Sequence, residues 1–105
     1  MNDKRLAQLS EMLKADPADP FILYAIGLEH LNGGKISTAI ERFKELSQSH
    51  PDYVPTYYQY AVALVSTGQL NEAMGVLEAG IEVAQAAGER KTVNELRMLL
   101  EDIED

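Results

Sequence analysis

Few side chains in this sequence could do chemistry, and their spacing is poor for it. There are two histidines, His30 and His50, and no cysteine. A zinc site needs Cys or His ligands at close, repeated spacing, and neither histidine has a second one four residues on. Without cysteine, disulfides, thiolate metal sites and thiol nucleophiles are excluded together. His30 lies among apolar residues, as a hydrogen-bonded core histidine would. His50 precedes Pro51 and reads as a turn residue. Asn32-Gly33-Gly34-Lys35 is too short for a phosphate loop and lacks the Gly-Lys-Ser/Thr order. It reads instead as the C-terminal turn of a helix. There is no Gly-x-Ser-x-Gly elbow and no Ser-His-Asp order. Carboxylates four apart, such as Glu78 and Glu82, read as a solvated acidic face. The residues thus offer no catalytic, cofactor-binding or metal set, and they imply no cofactor and no enzyme.

Charge narrows the partners. The net charge is −8, and it is uneven. Residues 1–52 carry six basic and eight acidic side chains, whereas residues 53–105 carry three and nine. No Lys or Arg occurs between Tyr53 and Glu89. Nucleic acid and anionic membranes both demand a basic face, so neither is an expected partner. The longest apolar runs, Phe21–Ile26 and Tyr60–Val65, fall far short of the ~20 residues that span a bilayer. The first twenty residues contain no continuous apolar stretch of the kind that targets a chain for export. A soluble, cytoplasmic protein is the expectation.

The elements that would position any site are helices. Asp19-Pro20 opens one: Asp caps free N–H groups, and Pro fits a first turn. Leu23, Ile26, Gly27 and His30 or Leu31 then recur at helical spacing until Asn32-Gly33-Gly34. Thr38-x-x-Glu41 resembles a capping box near the next start. Its stripe is Ile36, Ala39, Ile40, Phe43 and Leu46, ended by His50-Pro51-Asp52. Pro55 opens a third helix with stripe Tyr57, Tyr60, Ala61 and Leu64, broken at Thr67-Gly68. A fourth stripe runs through Leu70, Ala73, Met74, Leu77 and Ile81 towards Gly88. No stretch alternates as a strand would, and the short loops predict antiparallel neighbours. An all-α fold follows.

A shift of 34 lays the punctuation on itself. Pro17 falls on Pro51, Gly34 on Gly68, Ala39 on Ala73, Tyr24 on Tyr58 and Phe43 on Leu77. A period in this range signals stacked helical units, because one pair of helices cannot cover its own apolar face. One unit reads Leu23, Ile26, Gly27, His30, Ala39, Phe43, Pro51, and the next Tyr57, Tyr60, Ala61, Leu64, Ala73, Leu77, Gln85. This pattern resembles the tetratricopeptide repeat. The resemblance implies a right-handed superhelix of antiparallel helix pairs in one domain. Residues 20–53 and 54–87 would be two repeats, 2–16 the second helix of a truncated one, and 89–103 a closing helix. Small residues at Gly27/Ala61 and Ala39/Ala73 would let paired helices approach, with Phe43/Leu77 filling the gap. Four positions depart from the family: His30 for Tyr, Leu46 and Gly80 at a small Ala-like position, and Gln85 for Pro. Gly75 and Gly80 fall inside a helix, where each costs on the order of 1 kcal/mol against Ala. Close packing accounts for Gly80 and leaves Gly75 without a reason.

A second apolar stripe lies one residue round from the core on each first helix: Tyr24, Leu28 and Leu31, then Tyr58, Val62 and Val65. The resemblance puts first helices on an inner, concave surface, so these residues would line or adjoin a groove, with Asn32, Gln59 and Ser66 as its polar edge. The alternative is that the stripes pack one unit on the next. A Tyr and aliphatic groove suits an amphipathic helix or an extended apolar segment. The family's carboxylate-gripping variety needs Lys, Arg and Asn along the groove. The matching places here hold no Lys or Arg, so acidic tails are not expected ligands. The leading expectation is a non-catalytic module that binds a protein or peptide. The alternative is a self-associating unit, such as a homodimer, built on apolar residues at its ends that include Leu99, Leu100 and Ile103.

Overall fold

A computed structural model describes residues 2–105, and the described residues form six α-helices: α1 (Asn2–Ala15), α2 (Pro20–Asn32), α3 (Ile36–Ser49), α4 (Pro55–Ser66), α5 (Leu70–Ala86) and α6 (Arg90–Glu104). Each helix packs against the next in the chain, and α2 also packs against α4. The α2–α4 contact distinguishes a stack from a simple chain of neighbours: the first helix of one hairpin lies on the first helix of the following one. The molecule measures 40 × 29 × 20 Å, a slab of stacked hairpins.

The turns between helices explain the period. Gly34, Gly68 and Gly88 have φ of 82°, 77° and 73°. At each, the next residue's N–H reaches back five positions: Lys35 to His30, Gln69 to Leu64 and Glu89 to Ala84, all at 2.9 Å. This is a Schellman turn, which needs a residue in the left-handed region and reverses the chain within three residues. Two of the three glycines are the breakers that align under the shift of 34. At the start of α2, Asp19 Oδ1 accepts a hydrogen bond from the Phe21 N–H at 2.9 Å. The expected capping box at Thr38 and Glu41 does not form. Helix α3 begins two residues earlier, so Thr38 lies inside it, and the residue ahead of the helix, Lys35, makes no side-chain cap.

The core follows the apolar stripes with three corrections. Ile26, Ala39, Phe43, Tyr57, Tyr60, Ala61, Leu64, Ala73 and Leu77 are buried as their spacing predicts. Ile22 is buried too, packed with Leu9 and Ile26 where α1 meets α2. Leu70, assigned to the fourth stripe, is 43% exposed because it opens α5 at the edge of the stack. Leu99, Leu100 and Ile103 are half-buried, packed against the core clusters.

Close approach between paired helices depends on two glycines. A Cβ at Gly27 would lie 2.7 Å from Phe43 Cε1, and one at Gly80 would lie 2.6 Å from Tyr57 Cβ. Phe43 is wholly buried, and burying a side chain of its size contributes about 2–3 kcal/mol. That contribution requires the bare backbone at Gly27. Gly75 is different: nothing lies within 4 Å of the position its Cβ would take.

Candidate functional site

The first helices α2, α4 and α6 share one side of the stack. Tyr24 occupies the junction between the first two. Its ring lies 6.2 Å from Phe43 and 6.0 Å from Tyr53, and its hydroxyl lies near the Gln59 side chain of α4. Burial, with Tyr53 adding to it, pushes the Tyr24 phenol up, so it serves as a neutral hydrogen-bonding group. Leu31 and Val65 pack against the cluster of Ala39, Phe43, Tyr60, Leu64 and Ala73. Tyr24, Leu31, Gln59 and Val65 therefore hold one hairpin on the next. Leu28 and Val62 are half-buried, and Asn32 and Ser66 are exposed at the ends of their helices. The Ser66 hydroxyl donates back to the Ala63 carbonyl at 2.7 Å.

Tyr58 stands apart. It is 37% exposed and lines a cleft of about 160 Å³ between α4 and α6 with Glu95, Met98, Leu99 and Asp102. These α6 residues were not among the expected groove residues. The repeat pattern under the shift of 34 ends near residue 87, so α6 reads in the sequence only as a closing helix.

The second helices leave a different cleft on the opposite side. Leu6 and Leu13 of α1, Leu23, Ile26 and His30 of α2 and Leu46 of α3 line a cavity of about 290 Å³. A shift of 34 carries Leu13, Leu23 and Ile26 onto Ser47, Tyr57 and Tyr60, which line a cleft between α3, α4 and α5. His30 departs from the hydrogen-bonded core histidine expected of it: Nδ1 is buried and has no partner among the described residues. Burial, then the Arg42 and Lys35 charges, pull its pKa below the usual histidine value, so the neutral ring is favoured.

Among the described residues no group of three or more His, Asp or Glu could hold a metal ion. No helix among them is long and apolar enough to cross a membrane.

Comparison with known proteins agrees with this architecture. A family profile described as tetratricopeptide repeat matches residues 31–92. A tetratricopeptide repeat domain protein from Salinibacter ruber, solved in solution, is 37% identical, with a TM-score of 0.80 over 85% of this chain and 90% of that one. Its crystal structure gives 36% identity and a TM-score of 0.79 over 82% and 97%. More distant in sequence, the TPR2B domain of yeast Sti1, in a complex with pHsp70, superposes with a TM-score of 0.87 at 17% identity over 94% of this chain and 79% of that one. PcrH, in complex with the chaperone binding region of PopD, gives 0.87 at 14% over 96% and 77%. No curated protein matches the chain. The chain belongs to the tetratricopeptide repeat family.

Proposed function

We propose that this protein is a non-catalytic binding module that holds a peptide or helix of a partner protein against α2, α4 and α6. Residues 20–53 and 54–87 act as two complete repeats, flanked by a half-repeat at 2–16 and a closing helix at 89–103. The groove consists of Tyr24, Leu28, Leu31, Asn32, Tyr58, Gln59, Val62, Val65 and Ser66, with Tyr24, Leu31, Gln59 and Val65 as its supporting wall. The observation that carries this reading is Tyr58 left open beside Met98, which is 65% exposed. Exposed apolar groups rimmed by polar ones mark interaction sites, and Tyr gives contact area at low entropic cost. Partner complexes of the two distant neighbours support the same use of the scaffold. Affinity capture compares wild type with Leu28→Asp plus Val62→Asp. Both proteins fold, and only wild type retains its partner. Equal retention by both removes the groove from the account.

Self-association is the second reading, favoured by Met12 and Phe21, which are 46% and 58% exposed on α1 and α2. Light scattering across a concentration series tests it, and a strict monomer eliminates it.

A further inference from the structure

We infer that the cleft between α4 and α6 selects a cationic amphipathic helix, taking an apolar side chain between two lysines or arginines seven residues apart. The inference rests on the groove reading above and names the chemistry of its partner. Three observations carry it. The first is size. The cleft holds about 160 Å³, and apolar cavities near 150 Å³ accept a benzene-sized group, so one Leu- or Met-sized side chain fills it. Tyr58, Met98 and Leu99 supply its apolar walls.

The second is charge. Glu95 and Asp102 are the charged residues lining the cleft, and both are exposed. Neither has a basic partner among the described residues; Lys14 pairs with Glu11 and Arg42 with Glu45, both far from the cleft in sequence. Helix α4 carries no charged side chain at all, and α2 carries only Glu29 and His30. On α6, Lys91 stands one turn ahead of Glu95, and Arg97 faces the other way, beside Val93 and Asn94. The cleft therefore presents two carboxylates that no basic side chain pairs with.

The third is spacing. Glu95 and Asp102 lie seven residues apart on one helix, about 10.5 Å along its axis, with Met98 and Leu99 between them. A helix laid alongside meets them best with cations at i and i+7 and apolar residues at i+3 and i+4, the spacing of helix-in-groove recognition. Each solvent-exposed pair contributes up to about 1 kcal/mol, or about fivefold, so two pairs give selectivity of up to about 25-fold, weakened by salt.

The test uses the full chain and two fluorescein-labelled helical peptides, identical except for Lys or Glu at i and i+7 around a central Leu pair. Fluorescence anisotropy is read for wild type, Glu95→Lys plus Asp102→Lys, Tyr58→Ala plus Met98→Ala, and the control Glu78→Lys plus Glu82→Lys. The control makes the same charge change on the exposed face of α5. Circular dichroism confirms that each variant is helical. Wild type and the control prefer the Lys peptide by about tenfold, the Glu95/Asp102 variant prefers the Glu peptide, and the Tyr58/Met98 variant loses both. A preference that survives in the Glu95/Asp102 variant as it does in the control traces to overall acidity and overturns the inference. Equal binding of both peptides, lost together in the Tyr58/Met98 variant, overturns the cation preference and leaves the groove standing. Binding indifferent to Tyr58 and Met98, or no binding of the Lys peptide, overturns both.

Discussion

Hairpins α2–α3 and α4–α5 solve one packing problem with opposite choices. In the second, Tyr57 is large and faces Gly80, where an added Cβ would lie 2.6 Å from Tyr57 Cβ. In the first, the same two places hold Leu23 and Leu46, both on the walls of the cleft that also includes His30. Deeper in, the order inverts: Gly27 faces Phe43 in the first hairpin, and Ala61 and Leu77 stand in the second. Interiors conserve total volume more strictly than individual residues, so a large side chain on one helix goes with a small one on its partner. Leu46, too bulky for the family position when taken alone, is buried to 1% exposure because Leu23 replaces an aromatic residue across from it. Tyr57 also donates a hydrogen bond from its hydroxyl to the Pro51 carbonyl. It thereby ties the second hairpin to the loop that precedes it, a tie that Leu23 has no group to make.

Exchanging residues between the hairpins should break this complementarity. The largest effect is expected for Gly80→Leu, which places the first hairpin's residue against Tyr57. Overpacking of this kind costs about 1–3 kcal/mol and more where backbone must shift, so urea denaturation should show a loss at or above the top of that range. Adding Tyr57→Leu should recover part of it, with a coupling energy of about 0.5–3 kcal/mol in the double-mutant cycle. Additive losses would mean that the two positions do not trade volume.

Gly27→Ala comes next. Its Cβ would meet the end of the Phe43 ring at 2.7 Å, for a loss of about 1–2 kcal/mol. Phe43→Leu in the same chain completes the second hairpin's pair and should reduce that loss. Gly75→Ala runs the other way. The site is open and helical, so the change should stabilise by about 0.5–1 kcal/mol, read as a rise in the urea midpoint.

The smallest effect concerns pH. His30 stands where the second hairpin has Leu64. Its pKa is lowered on folding by burial first, so the folded state binds fewer protons than the unfolded one. Stability is intact above the unfolded value of about 6.5 and falls as pH drops from there through the depressed folded value. His30→Leu should flatten the melting temperature of wild type across that window, and it also removes a buried nitrogen without a partner. An unchanged slope would show that the acid sensitivity has another origin.

Much of the fold was legible because its signals are local. Gly34 and Gly68 must accept positive φ wherever the chain reverses, and Pro20 and Pro55 fit only a first turn. The apolar spacing of Ala39, Phe43, Leu64 and Leu77 marks a buried face whatever lies opposite. The candidate site was less legible. Tyr24 and Tyr58 are equivalent by the shift of 34, yet Tyr24 is enclosed by Phe43, Tyr53 and Gln59, and Tyr58 is open. The difference lies in what each ring meets: Tyr24 packs near Phe43 and Tyr53, whereas Tyr58 faces the open cleft lined by Glu95, Met98, Leu99 and Asp102.

By itself, the sequence determined that this chain is a repeating stack of helices, because helix boundaries and apolar faces depend on residues within a few positions of one another. Only the tertiary structure decided which of two matching tyrosines, Tyr24 and Tyr58, is packed and which is open. It also decided why Leu46 fits and where Gly80 is needed. Those outcomes depend on side-chain volumes brought together from positions more than twenty residues apart in the chain.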